Sequence, residues 1–172
     1  YVPYEAHFIG VHANEEGMIM SELEKTLQEN KNVKLIYVVP NFSNPTGKTW
    51  SLERRKQLLE MAKKYDVLIA EDNPYGDIRF SGEPVPEIKS MDDEGRVIYM
   101  GSFSKVLFAG LRVGFTVSSK EIAQAAEEQL GLKIDKKKIQ LKEQIKSLGV
   151  HNVPIKLHPK VTTELKVHVV EE

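Results

Sequence analysis

The sequence predicts an α/β unit built on a mostly parallel sheet, followed by a small α+β unit, and three observations carry this. Short apolar runs suited to buried strands alternate with helix-period segments as far as about residue 115, the pattern of strands joined by crossover helices. The chemically distinctive polar residues fall just after those strands, where open α/β sheets place their ligand crevices. All six Tyr, all six Phe, Trp50 and all five Arg lie at or before Phe115. The chain therefore changes character there, and we place the units at 1–115 and 116–172. No internal repeat, low-complexity tract or Gly/Pro/Ser-rich linker marks the join.

The elements follow in order. A weak strand is expected around Phe8 to Val11, then a helix from Met20 to Gln28. Val33 to Val39 reads as a buried strand stopped by Pro40. Ser51 has the chemistry of an N-cap for a helix to about Tyr65, whose apolar side is Leu52, Leu58, Leu59 and Met61. Val67-Leu68-Ile69-Ala70 is the next strand, ending at Glu71-Asp72, and Val97-Ile98-Tyr99-Met100 is another, followed directly by Gly101 to Lys105. In the second unit Ser118 and Glu121 have capping-box spacing before a helix to about Leu130, and Gly131 suits its C-cap. Val153/Ile155/Leu157 and Leu165/Val167/Val169 alternate with polar residues, as strands covered on one face do.

Composition excludes several classes. With 172 residues and 41% hydrophobic content, the chain can bury one good-sized core or two small ones. No stretch approaches the roughly 20 apolar residues of a membrane span, and Tyr1-Val2-Pro3-Tyr4 lacks a signal-peptide layout, so a cytoplasmic protein with no membrane partner is expected. Zero cysteines exclude disulfides and thiolate metal sites. His151, His158 and His168 are too scattered to argue for a metal. The net charge of −1 gives no global pull toward nucleic acid, although the second unit carries ten Lys against eight Asp plus Glu.

Four signals stand in order: Asn44-Pro45-Thr46-Gly47, Asp72-Asn73-Pro74-Tyr75, Ser102-Phe103-Ser104-Lys105 and Arg112. Singly they are ordinary. The first reads as a strand-to-helix turn, the second as a strand-ending turn, and Ser-x-Ser-Lys alone carries little. Together, in this order and spacing, residues 1–115 resemble the middle of a fold-type I, class I/II aminotransferase, a partial large domain of the 2-aminoadipate and aromatic transaminase branch, to which Val39 to Gly47 is most similar.

The resemblance implies pyridoxal 5′-phosphate as cofactor, with an amino acid and a 2-oxo acid as substrates. Schiff-base chemistry needs an amine that can lose its proton, and lysine does so readily when desolvated or near other cations. Lys105 is implied as that amine and as the general base and acid at the substrate's Cα. Asp72 is implied to pair with the pyridine nitrogen, and Tyr75 and Asn44 with the phenolic oxygen. Ser102, Ser104 and Arg112 are implied to hold the phosphate, for which arginine's planar fork is well suited. The family's phosphate-binding turn and stacking aromatic precede this stretch, and its substrate-carboxylate arginine follows it. Ala109 also stands where proline is common. The expectation is an incomplete site without independent turnover, in a sheet with open edges and apolar faces. A homodimer is compatible with the resemblance.

Residues 118–172 resemble the C-terminal domain of bacterial ribosomal protein L9, through Gly131 to Ile139, Ile145 to Gly149 and Val153 to Pro159. This implies a partner in the 23S rRNA of the large ribosomal subunit, with Lys136, Lys137, Lys138, Lys156 and Lys160 as candidate phosphate contacts. The bland alternative is a solvated lysine face, since nearby acids almost cancel the charge. Three functional readings stand: an aminotransferase core segment, an L9-like rRNA-binding or structural protein, and a chimera in which neither half is active.

Overall fold

The computed structural model describes residues 6–111, 113–130, 149–158 and 161–169. The chain divides into two compact units, Tyr1–Ala123 and Gln124–Glu172.

In the first unit a small antiparallel ribbon, β1 (Ala13–Asn14) with β2 (Gly17–Met18), leads into helix α1 (Met20–Glu29). Residues 8–11 form no strand, contrary to expectation, and Phe8 is 75% exposed. Apolar content alone does not make a strand; it also needs a ladder partner for its backbone groups.

The remaining strands are β3 (Leu35–Val38), β4 (Leu68–Asp72), β5 (Val97–Ser102) and β6 (Gly114–Val117), in the spatial order β3-β4-β5-β6. The first two pairings are parallel, with Val38 opposite Glu71 and Asp72 opposite Met100, and β6 runs antiparallel, with Gly114 opposite Ser102. The sheet is thus mixed and mostly parallel. Because β3, β4 and β5 point the same way, Pro40 to Gly47, Asp72 to Tyr75 and Ser102 to Lys105 all emerge at one end.

Helix α2 (Leu52–Tyr65) begins where its chemistry dictates, since Ser51 Oγ accepts from the Arg54 N–H at 3.2 Å. It ends at Asp66, a left-handed residue with φ 53° whose N–H returns to the Ala62 and Lys63 carbonyls. Leu58, Leu59 and Ala62 are buried, with Met61 packed beside them, whereas Leu52 is exposed. The residue that takes an interior place instead is Arg55, which is fully buried. Leu23 and Leu27 of α1, Ile36 and Val38 of β3, and Ile69 and Val97 complete the core on one face of the sheet, with Trp50 closing it. On the opposite face Leu35 and Tyr37 stay about half exposed. A short helix α3 (Phe103–Val106) follows β5 directly.

Helix α4 (Lys120–Leu130) is capped one residue later than expected: Ser119, not Ser118, accepts from the Ile122 N–H, at 3.4 Å. Glu121 therefore sits in the first turn, and its own backbone N–H together with the Ser119 hydroxyl holds its carboxyl below the ordinary value. In the second unit β7 (Gly149–His158) pairs antiparallel with β8 (Val161–Val169), with Val153 opposite Leu165 and an irregularity between Lys156 and His158.

Candidate functional site

The end of the sheet gathers the chemistry. Asp72 is the last residue of β4, and its Oδ2 accepts the Tyr37 hydroxyl from the end of β3 at 2.6 Å. Tyr75 lies in the following turn and accepts the Ile78 N–H on its carbonyl at 3.1 Å. Ser102 ends β5 and also caps α3, its Oγ accepting from the Ser104 N–H at 3.2 Å. This cap places Lys105 on the first turn of α3, with Nζ 5.7 Å from the Tyr75 ring centroid. A cation over an aromatic face is favourable by roughly 0.5–1 kcal/mol at an exposed site, and Lys105 is exposed. Phe103 packs on Phe115 of β6 with centroids 5.4 Å apart, which seats α3 against the antiparallel strand.

Asn44 stands on the turn beyond β3. The turn is closed by the Gly47 N–H to Ser43 carbonyl bond at 2.6 Å and by a bridge between Ser43 and Lys48. The Asn44–Pro45 peptide is cis, and Gly47 has φ 70°, a left-handed conformation that suits glycine. The structure thus brings Lys105 to Tyr75 and places Asp72, Ser102, Ser104 and Asn44 at the same sheet end. Arg112, Lys136, Lys137, Lys138 and Lys160 lie outside the described residues, and Lys156 is on β7 opposite Thr162.

Tyr37 was not among the expected site residues. Its one sequence signal is its position on β3, alternate to buried Ile36 and Val38, which turns it to the face opposite the core. Beneath the site lies a polar layer that motif reading also missed. Asn41 and Asn73 are buried, 2% and 5% exposed, and share an amide hydrogen bond at 2.9 Å. Glu71 is fully buried and accepts the Ile88 and Lys89 N–H groups, each at 2.8 Å. Burial pushes its carboxyl up to about 7, opposed by those two N–H bonds and helped by the nearby Glu87 carboxylate. Burial likewise lowers the Arg55 guanidinium from its ordinary value, while Glu87 and Glu71 oppose the shift.

The family model of aminotransferase class I and II matches residues 2–131. The chain belongs to the class I and II aminotransferases. Aromatic-amino-acid aminotransferase 1 of Thermococcus litoralis is 48% identical over 128 residues, 72% of this chain and 31% of that protein. The structure of a Pyrococcus horikoshii kynurenine aminotransferase, in complex with PMP, superposes with a TM-score of 0.69 at 46% identity over 73% of this chain and 32% of that one. The α-aminoadipate aminotransferase LysN of Thermus thermophilus, complexed with N-(5′-phosphopyridoxyl)-L-leucine, gives 0.63 at 37% identity over 69% and 31%. This aminotransferase chain therefore spans about a third of the length of the relatives it matches, and the family's cofactor is pyridoxal 5′-phosphate. Residues 115–171 match the model of the ribosomal protein L9 C-terminal domain, so residues 115–131 fall within both matches. Among the described residues no helix is long and apolar enough to cross a membrane, and no cluster of His, Cys, Asp or Glu could hold a metal ion.

Proposed function

We propose that residues 1–115 supply the lysine-bearing part of a pyridoxal-phosphate site for amino-group transfer between an amino acid and a 2-oxo acid, and that these residues by themselves bind the cofactor weakly. The observation that carries the reading is the Lys105 amine held over the Tyr75 ring at 5.7 Å, at the sheet end that also presents Asp72. The donor set fits the group: an amine for its aldehyde, a carboxylate for its ring nitrogen, a phenol and an amide for its phenolic oxygen, and the Ser102 and Ser104 hydroxyls for its phosphate, with Arg112 following in sequence.

When bound, pyridoxal phosphate supplies the electron sink for charge released at the substrate's Cα. Lys105 Nζ takes the proton from that carbon and returns it as general base and acid. The Tyr37 hydroxyl holds Asp72 Oδ2 and so gives the carboxylate a direction, and Oδ1 would serve the cofactor nitrogen. Asn44 and Tyr75 would donate to the phenolic oxygen. Lys105 is solvent-exposed. The water exclusion that strengthens such contacts is thus not supplied around it by these residues, which supports weak binding by the chain alone.

Titrating the purified chain with pyridoxal phosphate should give weak visible absorbance that Lys105→Ala removes. Equal spectra for the two proteins would sink the lysine assignment.

A second reading concerns residues 116–172. Their match to the L9 C-terminal domain supports docking on 23S rRNA through Lys136, Lys137, Lys138, Lys156 and Lys160. Lack of any salt-dependent affinity of the full chain for ribosomal RNA would leave the L9-like part without that role. The third reading, a fusion with neither activity, is favoured if both tests fail.

A further inference from the structure

We propose that Asn73 is a positioning residue of the candidate site, holding the Asp72–Tyr75 turn through a buried polar network anchored by Arg55 and Glu87; this rests on reading Asp72 and Tyr75 as cofactor ligands. Nothing in the motif chemistry uses Asn73, yet its carboxamide is saturated. Oδ1 accepts the Asn41 amide at 2.9 Å and the Gly76 N–H at 3.1 Å, and Nδ2 donates to Glu87 Oε1 and to the Tyr99 hydroxyl, both at 3.0 Å. An asparagine side chain has two donors and two acceptor sites, and all four are used.

The four partners come from four places: the loop after β3, the turn itself, the segment before Ile88, and β5. A Cβ at Gly76 would stand 2.5 Å from Asn73 Nδ2, so the turn closes on this carboxamide only with glycine there. The Asn73 N–H also donates to the Met100 carbonyl at 2.8 Å, tying the residue after Asp72 to β5.

Arg55 sets the direction of every bond in the chain. A guanidinium only donates. It donates to Asn41 Oδ1 at 2.6 Å, so Asn41 must present its NH2 to Asn73, and Asn73 must then present its own NH2 to Glu87 and Tyr99. Glu87 Oε2, 3.5 Å from Arg55, closes the loop. A carboxylate at position 73 would instead face Glu87.

The test uses the full chain and two readouts: hydrogen exchange at the position-76 amide and affinity for pyridoxal phosphate. Asn73→Ala should speed exchange there about tenfold, the loss of roughly one part-buried hydrogen bond, with the Ile69 and Val97 amides unchanged, and should weaken cofactor binding by a similar factor. Asn73→Asp should do the same through repulsion from Glu87. Adding Glu87→Gln to Asn73→Asp exchanges donor for acceptor at constant charge and should restore both readouts. Gly76→Ala, which displaces the carboxamide without deleting a buried group, covers a failure of Asn73→Ala to fold. The proposal is overturned if position 76 stays as protected in Asn73→Ala or Gly76→Ala as in the parent chain, if core amides lose protection equally, or if the double variant is no better than Asn73→Asp. Should the parent chain bind no pyridoxal phosphate, the cofactor reading fails, and the exchange measurements still decide Asn73.

Discussion

Replacing Arg55 by methionine should destabilise the first unit strongly, and the structure sets the size. The guanidinium is fully buried and donates to Asn41 Oδ1 at 2.6 Å, to the Pro86 carbonyl at 3.1 Å, to the Pro40 and Trp50 carbonyls at 3.3 Å and to Val85 at 3.4 Å, beside Glu87 at 3.5 Å. Methionine fills much of the volume and donates nothing. Each buried acceptor left empty costs about 1–3 kcal/mol, but the bonds to the Val85 and Pro86 carbonyls are only part-buried and Glu87 is about one-third exposed, so water recovers some of that. The relieved desolvation of the guanidinium offsets more. The net expected is about 3–5 kcal/mol, the usual cost of removing one partner of a buried pair, out of a total of roughly 5–15 kcal/mol. Trp50 is the only tryptophan and lends its carbonyl to Arg55, so its fluorescence reports this unit during urea unfolding. With a slope of about 2 kcal/mol per molar, the midpoint should fall by about 2 M. A fall of less than about 0.5 M at unchanged slope would refute the view that this cation organises the layer beneath the site.

Three further outcomes are expected. Ser51→Ala removes the acceptor for the Arg54 N–H and should cost about 1 kcal/mol in the same unfolding assay; no change would mean the cap contributes nothing to α2. Gly17→Ala puts a Cβ 2.5 Å from Trp50 Cδ2 at a residue with φ 119°, so it should lower stability by about 2 kcal/mol or more and shift Trp50 emission; an unaltered spectrum and midpoint would disprove that packing. Glu71 gives a pH dependence. Its folded value of about 7 lies above the ordinary 4.5, so the folded state holds the proton more tightly. The stability this contributes is fully present below the unfolded value and is lost as pH rises through the folded one. Urea midpoints should therefore decline from about pH 5 to about pH 8, by on the order of 2 kcal/mol, and Glu71→Gln should flatten the decline; a midpoint that rises over this range would reverse the assignment.

What could be read from the sequence was whatever is encoded locally. Ser51 before a helix-period run is a cap wherever it occurs, and the strand of Leu68 to Asp72 announces itself by an apolar run that ends in charge. The order of Asn44, Asp72, Tyr75 and Lys105 likewise carried the family without any coordinates. The Phe8 to Val11 strand failed because a strand is a property of two segments, and the second cannot be read from the first. The Ser118 cap failed by one residue because Ser118 and Ser119 are adjacent and chemically equal; the geometry of the chain leaving β6 decides between them.

The polar layer was illegible for a deeper reason. Arg55 sits beside Arg54 in a helix rich in charge, and helix period alone does not say which of two neighbouring arginines faces inward. In the structure Arg54 reaches out to Glu16, and Arg55 reaches in to Asn41. What draws Arg55 inward is a set of acceptors contributed by residues 40, 41, 50 and 85–87 that meet only once the sheet has formed. The same holds for Tyr37 and Asp72, 35 residues apart in the chain but on neighbouring parallel strands whose carboxyl ends coincide. Motif residues that touch a cofactor are constrained one by one, so they leave a pattern in sequence. Residues that aim them are constrained by one another, and their pattern exists only in the fold.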